Sequence, residues 1–416
     1  MRGLERNLNK KVIIGIIITA AIATTGIITA VIILQPQPQE NVVIDSRITR
    51  LMSQGNIPSL SAGIVVNDTL VWSNGYGDQP AGLDTVYMIG SITKMFTATT
   101  IMQLYDNGSL DLDTDINNYI PFSVRNPNFP STPITIRDIL THSSGIGKVD
   151  KPLWDFEADF INWANNNIGW NLTAWDPRPT LVEFLNGSLN PADPYYKSEN
   201  WKLFAPGTDW QYSNLGFLLL SYIVEQIANQ SYVENLQENV LYPLDMTSTG
   251  FNYTDFIGRN AIPYEQADTQ LVEGPLFNTY SYGDGALRTT VPDLAKFIIA
   301  HMNHGTYNNS QILQPQTVDL MQTSRFSLSG YELGGYTYSG QGLGWGIFTD
   351  NIIGHGGGTP GYLANMAFKT VSNGKYGIVV MLNKGSSLVH DSYLLDTIFP
   401  SIIEIFFDEA ARLFSL

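Results

Sequence analysis

The apolar positions of this chain fall into a few regular patterns separated by turn-forming residues. Val42 to Met52 carries apolar residues at helical spacing. Ser61-Ala-Gly-Ile-Val-Val66, then Asn67-Asp68, then Thr69-Leu-Val-Trp72 predicts two strands around a tight turn. After Ser91, the residues Met95, Phe96, Ala98, Ile101, Met102 and Leu104 predict a helix. Leu110 to Ile120 reads as loop, and Ile134 to Leu140 begins another helix. Leu215 to Ala228 and Val291 to His301 are amphipathic helices, the second opened by Pro292-Asp293. Tyr376 to Leu382 predicts a buried strand, and Tyr393 to Phe414 a closing helix interrupted by Pro400. Strands near both ends with helices between them predict an α+β fold whose sheet gathers N- and C-terminal segments.

The irregular stretch 151–207 carries Trp154, Trp163, Trp170, Trp175 and Trp201 among prolines and asparagines. Short helices joined by loops are expected there, with the rings in core in preference to lining a pocket.

The first residues read differently. Arg2, Arg6, Lys10 and Lys11 precede an uncharged apolar run from Val12 to Leu34. A bilayer crossing takes about 20 apolar residues, whereas signal-peptide cores are nearer 7–15, so 12–34 predicts an uncleaved transmembrane anchor. The charge before it predicts a short cytoplasmic segment, 1–11, with everything after the span outside the cell membrane. Cleavage near Ala21-Ile22-Ala23 is the alternative and gives a secreted protein. Residues 35–41 read as a stiff Pro/Gln spacer and 42–416 as the folded domain. Asn-x-Ser/Thr sequons such as Asn67, Asn107 and Asn229 fit an outside location, although the chain is rich in these residue types.

Net charge is −16 among 416 residues, with no basic stripe to offset it, which argues against a nucleic-acid partner. The absence of cysteine removes disulfides, zinc–cysteine sites and thiol nucleophiles together.

Candidate chemistry begins at Ser91-Ile92-Thr93-Lys94. Three-residue spacing on a helix puts the Lys94 amine within reach of the Ser91 hydroxyl. A desolvated lysine can take that proton, and a helix N-terminus suits a developing oxyanion. Alone, Ser-x-x-Lys recurs by chance. Tyr212-Ser213-Asn214 follows the turn Ala205-Pro206-Gly207-Thr208 and leads into the Leu215 helix, where a phenol near Lys94 can act as a base. His355-Gly356-Gly357-Gly358 reads either as a strand edge that binds an extended substrate or as a glycine-rich hairpin turn. A Gly358 amide there can join the Ser91 amide in an oxyanion hole. Gly356, Gly358 and Gly361 also match Gly-x-Gly-x-x-Gly, but no strand–helix unit surrounds them and no acidic residue follows at the required distance. His142 is expected to hydrogen-bond a loop. His301 and His304 are spaced for one helix face, and solvated surface is expected for them in preference to a metal. No Gly-x-Ser-x-Gly and no His-Glu-x-x-His is present.

Ser91-x-x-Lys94, Tyr212-x-Asn214 and His355-x-Gly357, in that order, resemble the serine β-lactamase and penicillin-binding-protein superfamily. The resemblance is greatest to the branch of class C β-lactamases, D-aminopeptidases and esterases. Val86-Tyr-Met-Ile-Gly-Ser-Ile-Thr-Lys94, Ile134 to Gly145 and Gly283-Asp-Gly-Ala-Leu-Arg-Thr-Thr290 resemble family segments too. The resemblance implies an antiparallel sheet flanked by helices, with a mostly helical inserted subdomain and the site between them. It implies Ser91 as nucleophile, Lys94 assisting its deprotonation, and Tyr212 sharing the base role and protonating the leaving group. It further implies that Asn214 orients the Lys94 amine and the substrate, that His355 and Gly357 line the substrate strand, and that the Ser91 and Gly358 amides bind the oxyanion. No cofactor or metal is implied.

One departure stands out. Most relatives in the resemblance carry lysine where this chain has His355. A histidine is mostly neutral at pH 7, which weakens recognition of a substrate carboxylate. The expectation is therefore a peptidase or esterase acting on small amides, esters or D-amino-acid peptides. A β-lactamase or DD-carboxypeptidase is the alternative, and a non-catalytic ligand-binding or sensor protein the alternative of another class. Substrate identity and oligomeric state stay open.

Overall fold

A computed structural model describes residues 38–77, 81–147, 156–173, 177–193, 196–333, 336–386 and 390–416. The apolar run 12–34 lies outside the described residues, and among those described no helix is long and apolar enough to cross a membrane. Residues Val43–Leu416 form one compact unit.

The strands in chain order are β1 (Ser59–Val66), β2 (Thr69–Gly77), β3 (Tyr87–Met88), β4 (Tyr264–Ala267), β5 (Gln270–Glu273), β6 (Arg288–Thr289), β7 (Thr306–Tyr307), β8 (Ser310–Gln311), β9 (Phe326–Leu333), β10 (Tyr336–Gln341), β11 (Gly346–Phe348), β12 (Ile352–Thr359), β13 (Tyr362–Val371) and β14 (Gly374–Leu382). The helices are α1 (Pro38–Gln54), α2 (Thr93–Asp106), α3 (Ile136–Leu140), α4 (Ala158–Ile168), α5 (Leu181–Leu189), α6 (Asn214–Ala228), α7 (Tyr232–Leu236), α8 (Val291–Met302), α9 (Pro315–Met321) and α10 (Phe399–Phe414).

The main sheet is antiparallel throughout, in the order β2-β1-β14-β13-β12-β11-β10-β9. Leu60 lies opposite Leu382 and Val66 opposite Tyr376, so the sheet joins early and late segments as the pattern predicts. Strand β14 is apolar at nearly every position because both of its faces are covered. Ile378, Val380 and Leu382 pack with Ile48 of α1 and Phe406 of α10. Val379 and Met381 face the opposite layer, which includes Met95 of α2 and Leu294 of α8.

Four elements depart from the sequence pattern. Helix α1 begins at Pro38, inside the predicted spacer 35–41, because a proline is tolerated in a first helical turn. The Ser91 segment starts as a 3₁₀ turn, Gly90–Ile92, before α2 takes over. Helix α3 is capped by the reciprocal Thr135–Asp138 pair and ends after five residues. Pro400 does not interrupt the last helix; it sits in the first turn of α10, after a π-helical turn at Leu394–Ile398.

Of the tryptophans, Trp201 is 3 % exposed in the core, and Trp163 and Trp170 are half-buried, packed against it beside Phe156, Phe160 and Phe277. Trp154 and Trp175 lie outside the described residues. The surface expectation holds for His304, which is exposed and 3.4 Å from Asp319. It fails for His301, which is fully buried with Nε2 3.0 Å from Thr99 Oγ1. Helix α8 ends at Met302, so His304 sits past it in a turn with φ of 52° and the two rings do not share a helix face.

Candidate active site

The 3₁₀ turn brings Ser91 and Lys94 together. Side chains three residues apart eclipse one another in that geometry, and Lys94 Nζ lies 3.1 Å from Ser91 Oγ. Thr93, Met95, Phe96 and Ala98 around it are wholly buried, so the amine is drawn into the interior, where Lys94 has no exposed surface. Its other partners come from the loop before β6. Lys94 Nζ donates to Asp284 O at 2.7 Å and stands 3.8 Å from Asp284 Oδ2. Burial pulls the lysine down to about 8, with Asp284 acting in the opposite direction; burial lifts Asp284 to about 6 against the pull of Lys94.

Tyr212 completes the floor. Lys94 Nζ is 5.1 Å from the centre of its ring and 5.8 Å from that of Phe217. The residues on either side of Tyr212 are both fastened to His142. Gln211 N donates to His142 O at 2.8 Å, and Ser213 N donates to His142 Nδ1 at 3.1 Å. The imidazole itself packs 4.4 Å from the Tyr212 ring. Burial is the main reason His142 is held well below its ordinary range, so it serves as a neutral acceptor. The expectation of a loop-binding histidine is thus met at the loop that carries the phenol. Ser213 Oγ then caps α6 by accepting from Gly216 N at 3.0 Å.

The wall opposite is β12. Strand β11 pairs with it only at Ile353 and Gly354, so from His355 onward that side of β12 faces the Gly90 turn. The approach is close enough to demand glycine. A Cβ on Gly357 would lie 1.9 Å from Ile89 O. One on Gly90, whose φ is 52°, would lie 2.7 Å from Gly358 N. The Gly358 amide therefore stands beside the turn whose second residue is Ser91, where first-turn N–H groups have no intrahelical acceptor. The run reads as a strand with a partly open edge, its tight turn coming only at Pro360-Gly361.

His355 is 4 % exposed, and its ring is 6.1 Å from that of Tyr212. Its Nδ1 donates to Gly356 O, which leaves Nε2 as the lone-pair nitrogen of a neutral ring. Burial lowers its pKa to about 4.

Asn214 falls at the first residue of α6, and its side-chain oxygen makes no hydrogen bond to the Lys94 amine. The hydrogen bonds of Lys94 go to Ser91 and Asp284, while Asn214 Oδ1 is buried without a partner. Asp284 holds the amine in its stead. Sequence reasoning missed that residue, although it stood in the quoted Gly283-Asp-Gly-Ala segment. A charged residue flanked by glycines inside an otherwise uncharged run was the available sign.

A buried amine on a serine hydroxyl, beside a phenol and an open strand edge, is an arrangement suited to nucleophilic acyl transfer. The chain belongs to the Beta-lactamase family, whose model matches residues 44–399, and so to a family of serine hydrolases within the β-lactamase and penicillin-binding-protein superfamily. Protein flp of Staphylococcus aureus strain NCTC 8325 is 28% identical over 357 residues, covering 83% of this chain and 64% of the relative. The chain thus spans less than two thirds of that relative's length. Among solved structures, the octameric penicillin-binding protein homologue from Pyrococcus abyssi is similar with a TM-score of 0.69 and 26% identity, covering 90% of this chain and 77% of that one. The D-amino acid amidase from Ochrobactrum anthropi SV3 shares the fold with a TM-score of 0.68 at 19% identity, covering 91% and 100%.

Proposed function

We propose that this protein is a membrane-anchored serine hydrolase facing outward, working through an acyl-enzyme on small amides or esters, D-amino-acid peptides among them. The observation that carries the reading is the 3.1 Å contact between Ser91 Oγ and a wholly buried lysine amine. In this reading Ser91 Oγ attacks the substrate carbonyl as its proton passes to the Lys94–Tyr212 base. The oxyanion forms between the Ser91 and Gly358 amides. Collapse expels the amine or alcohol, which takes the proton from Tyr212. Water then attacks the acyl-enzyme by the reverse proton route and releases the acid.

The neutral ring of His355 supports the choice of substrate class. It offers a lone pair to a peptide N–H or an ammonium, and no fixed cation for a penicillin-type carboxylate. The charge and length of 1–34 support the anchor, which a carbonate wash of membranes tests: an anchored chain stays with the lipid.

The reading is tested by supplying the purified chain with D-Ala-D-Ala peptides, D-amino-acid amides, short-chain esters and a chromogenic cephalosporin. Turnover of an amide or ester, abolished in Ser91→Ala with the fold retained, is the expected result. Undiminished turnover in that variant would end it. Rapid cephalosporin hydrolysis would favour the β-lactamase alternative, and a single acylation without turnover the sensor.

A further inference from the structure

We propose that Asp284 is a positioning residue for acyl transfer, its buried carboxylate holding Lys94 as an ammonium so that the Ser91 proton passes to Tyr212. This rests on the acyl-transfer reading of Ser91 above.

The surroundings of Lys94 Nζ carry the argument. Its nearest neighbours are Ser91 Oγ at 3.1 Å, Asp284 O at 2.7 Å and Asp284 Oδ2 at 3.8 Å. A carbonyl and a carboxylate only accept, so each wants a hydrogen from the nitrogen, and donation to Ser91 Oγ as well takes the third, which only an ammonium has. The faces of Tyr212 and Phe217 beneath it also favour a cation. The two side chains are 0% and 7% exposed, so the carboxylate is screened little by water. Asp284 Oδ1 has no hydrogen-bond partner, which leaves the ammonium as the main compensation for this buried charge, with help from the Ser281 hydroxyl.

Besides Tyr212, the titratable groups that interact with the pair are His142, His355 and Tyr232. His142 and His355 are both held neutral by burial. Tyr232 of α7 is fully buried, its hydroxyl 2.7 Å from Thr97 Oγ1, and burial raises its pKa. The shifts on the pair, to about 8 for Lys94 and about 6 for Asp284, still leave both ionised between those values.

The step balances without further reagents. Tyr212, as phenolate opposite the ammonium, takes the proton from Ser91 Oγ while the Oγ–acyl bond forms. The tetrahedral intermediate then breaks the bond to the leaving nitrogen or oxygen, which receives that proton from Tyr212. Lys94 keeps all three hydrogens throughout.

The test follows the rate of Ser91 labelling by a fluorophosphonate from about pH 5 to pH 10, in the full chain and in Asp284→Asn and Asp284→Glu. Removing the carboxylate makes the ammonium easier to deprotonate. The alkaline fall in rate should therefore move to lower pH by about one unit or more in Asp284→Asn, and Asp284→Glu should restore it. An unmoved limb overturns the inference. So does an Asn variant that is faster at neutral pH, the behaviour of a lysine acting as free base. If Asp284→Asn does not fold, ¹⁵N NMR of lysine-labelled wild-type chain, assigned with Lys94→Arg, decides the matter. A Lys94 amine resonance at pH 7 overturns the inference, and an ammonium resonance supports it. A wild-type chain that fails to label at Ser91 overturns the acyl-transfer reading and this one with it; a labelled chain with an unmoved limb overturns this one alone.

Discussion

Among the described residues, Lys94 and Lys384 are both buried lysines paired with an aspartate, and the two pairs are built for opposite ends. Lys384 Nζ meets Asp391 Oδ2 at 2.9 Å and also donates to Gly55 O at 2.9 Å. Asp391 in turn accepts from Leu394 N, and its pKa is held below the ordinary carboxylate range by Lys384 and this backbone bond, against the opposing effect of burial. That pair ties the end of the last strand to the turn after α1 and to the segment leading into α10. Lys94 and Asp284 stand 3.8 Å apart, and a hydroxyl takes one of the lysine's hydrogen-bonding directions. One pair is closed upon itself and stabilises; the other is left loose around a reactive group. Burial of a charge therefore says little about role until the third partner is known.

The comparison can be broken by substitution, and the largest effect belongs to the loose pair. Lys94→Ala should lower kcat/KM by about 10³-fold, the range for losing a fixed charge that supports the base. Its melting temperature should fall less than that of Lys384→Ala, because Asp284, already lifted to about 6 by burial, can take up a proton once the ammonium is gone. Calorimetry beside an activity assay checks both halves; a large loss of melting temperature would make Lys94 a staple like Lys384.

Lys384→Ala should do the reverse. Removing the buried lysine unties Gly55 O and Asp391 at once, and denaturant titration should show a lower midpoint while activity per folded molecule is retained.

Gly357→Ala sharpens the contrast at the opposite wall. A methyl 1.9 Å from Ile89 O must push β12 away from the Ser91 turn. A displacement on the order of 1 Å is expected to lower the acylation rate by about 10²-fold. Gly258→Ala, with nothing within 4 Å but a φ of 79°, strains the backbone without a clash and is the control that separates general strain from loss of acylation.

The smallest effect concerns pH. Burial lowers His301 from 6.5 to about 3, so as pH falls the unfolded chain takes up this proton before the folded one. The stability contributed is complete above the ordinary value and is lost as pH falls toward the folded one. Melting curves at about pH 7 and pH 4 should therefore show a smaller acid loss in His301→Gln than in the wild type.

Legibility in the sequence follows the same division between pattern and partnership. The paired strands at both ends, α6, α8 and β14 were readable because burial imposes a period on apolar residues. Ser91, Lys94, Tyr212 and the glycines of β12 were readable because spacing and order survive in one dimension. What escaped was set by distant neighbours. Nothing local tells that His301 turns inward to Thr99, or that Asp284 reaches Lys94 where Asn214 was expected. The 3₁₀ start at Gly90 was hidden too, since it is forced by β12 passing against the turn and not by helix propensity.

Strand β1 lies between β2 and β14, and that placement governs how the molecule can be made. During synthesis, β1 and β2 leave the ribosome as a hairpin with one long apolar flank unpaired, waiting for β14, which follows only after all the other strands and helices α2 to α9. At about 5–20 residues per second, that wait lasts on the order of tens of seconds. Until then Leu60, Ala62 and Ile64 have no sheet to join, and the nascent chain depends on chaperones or on its own early helices for cover.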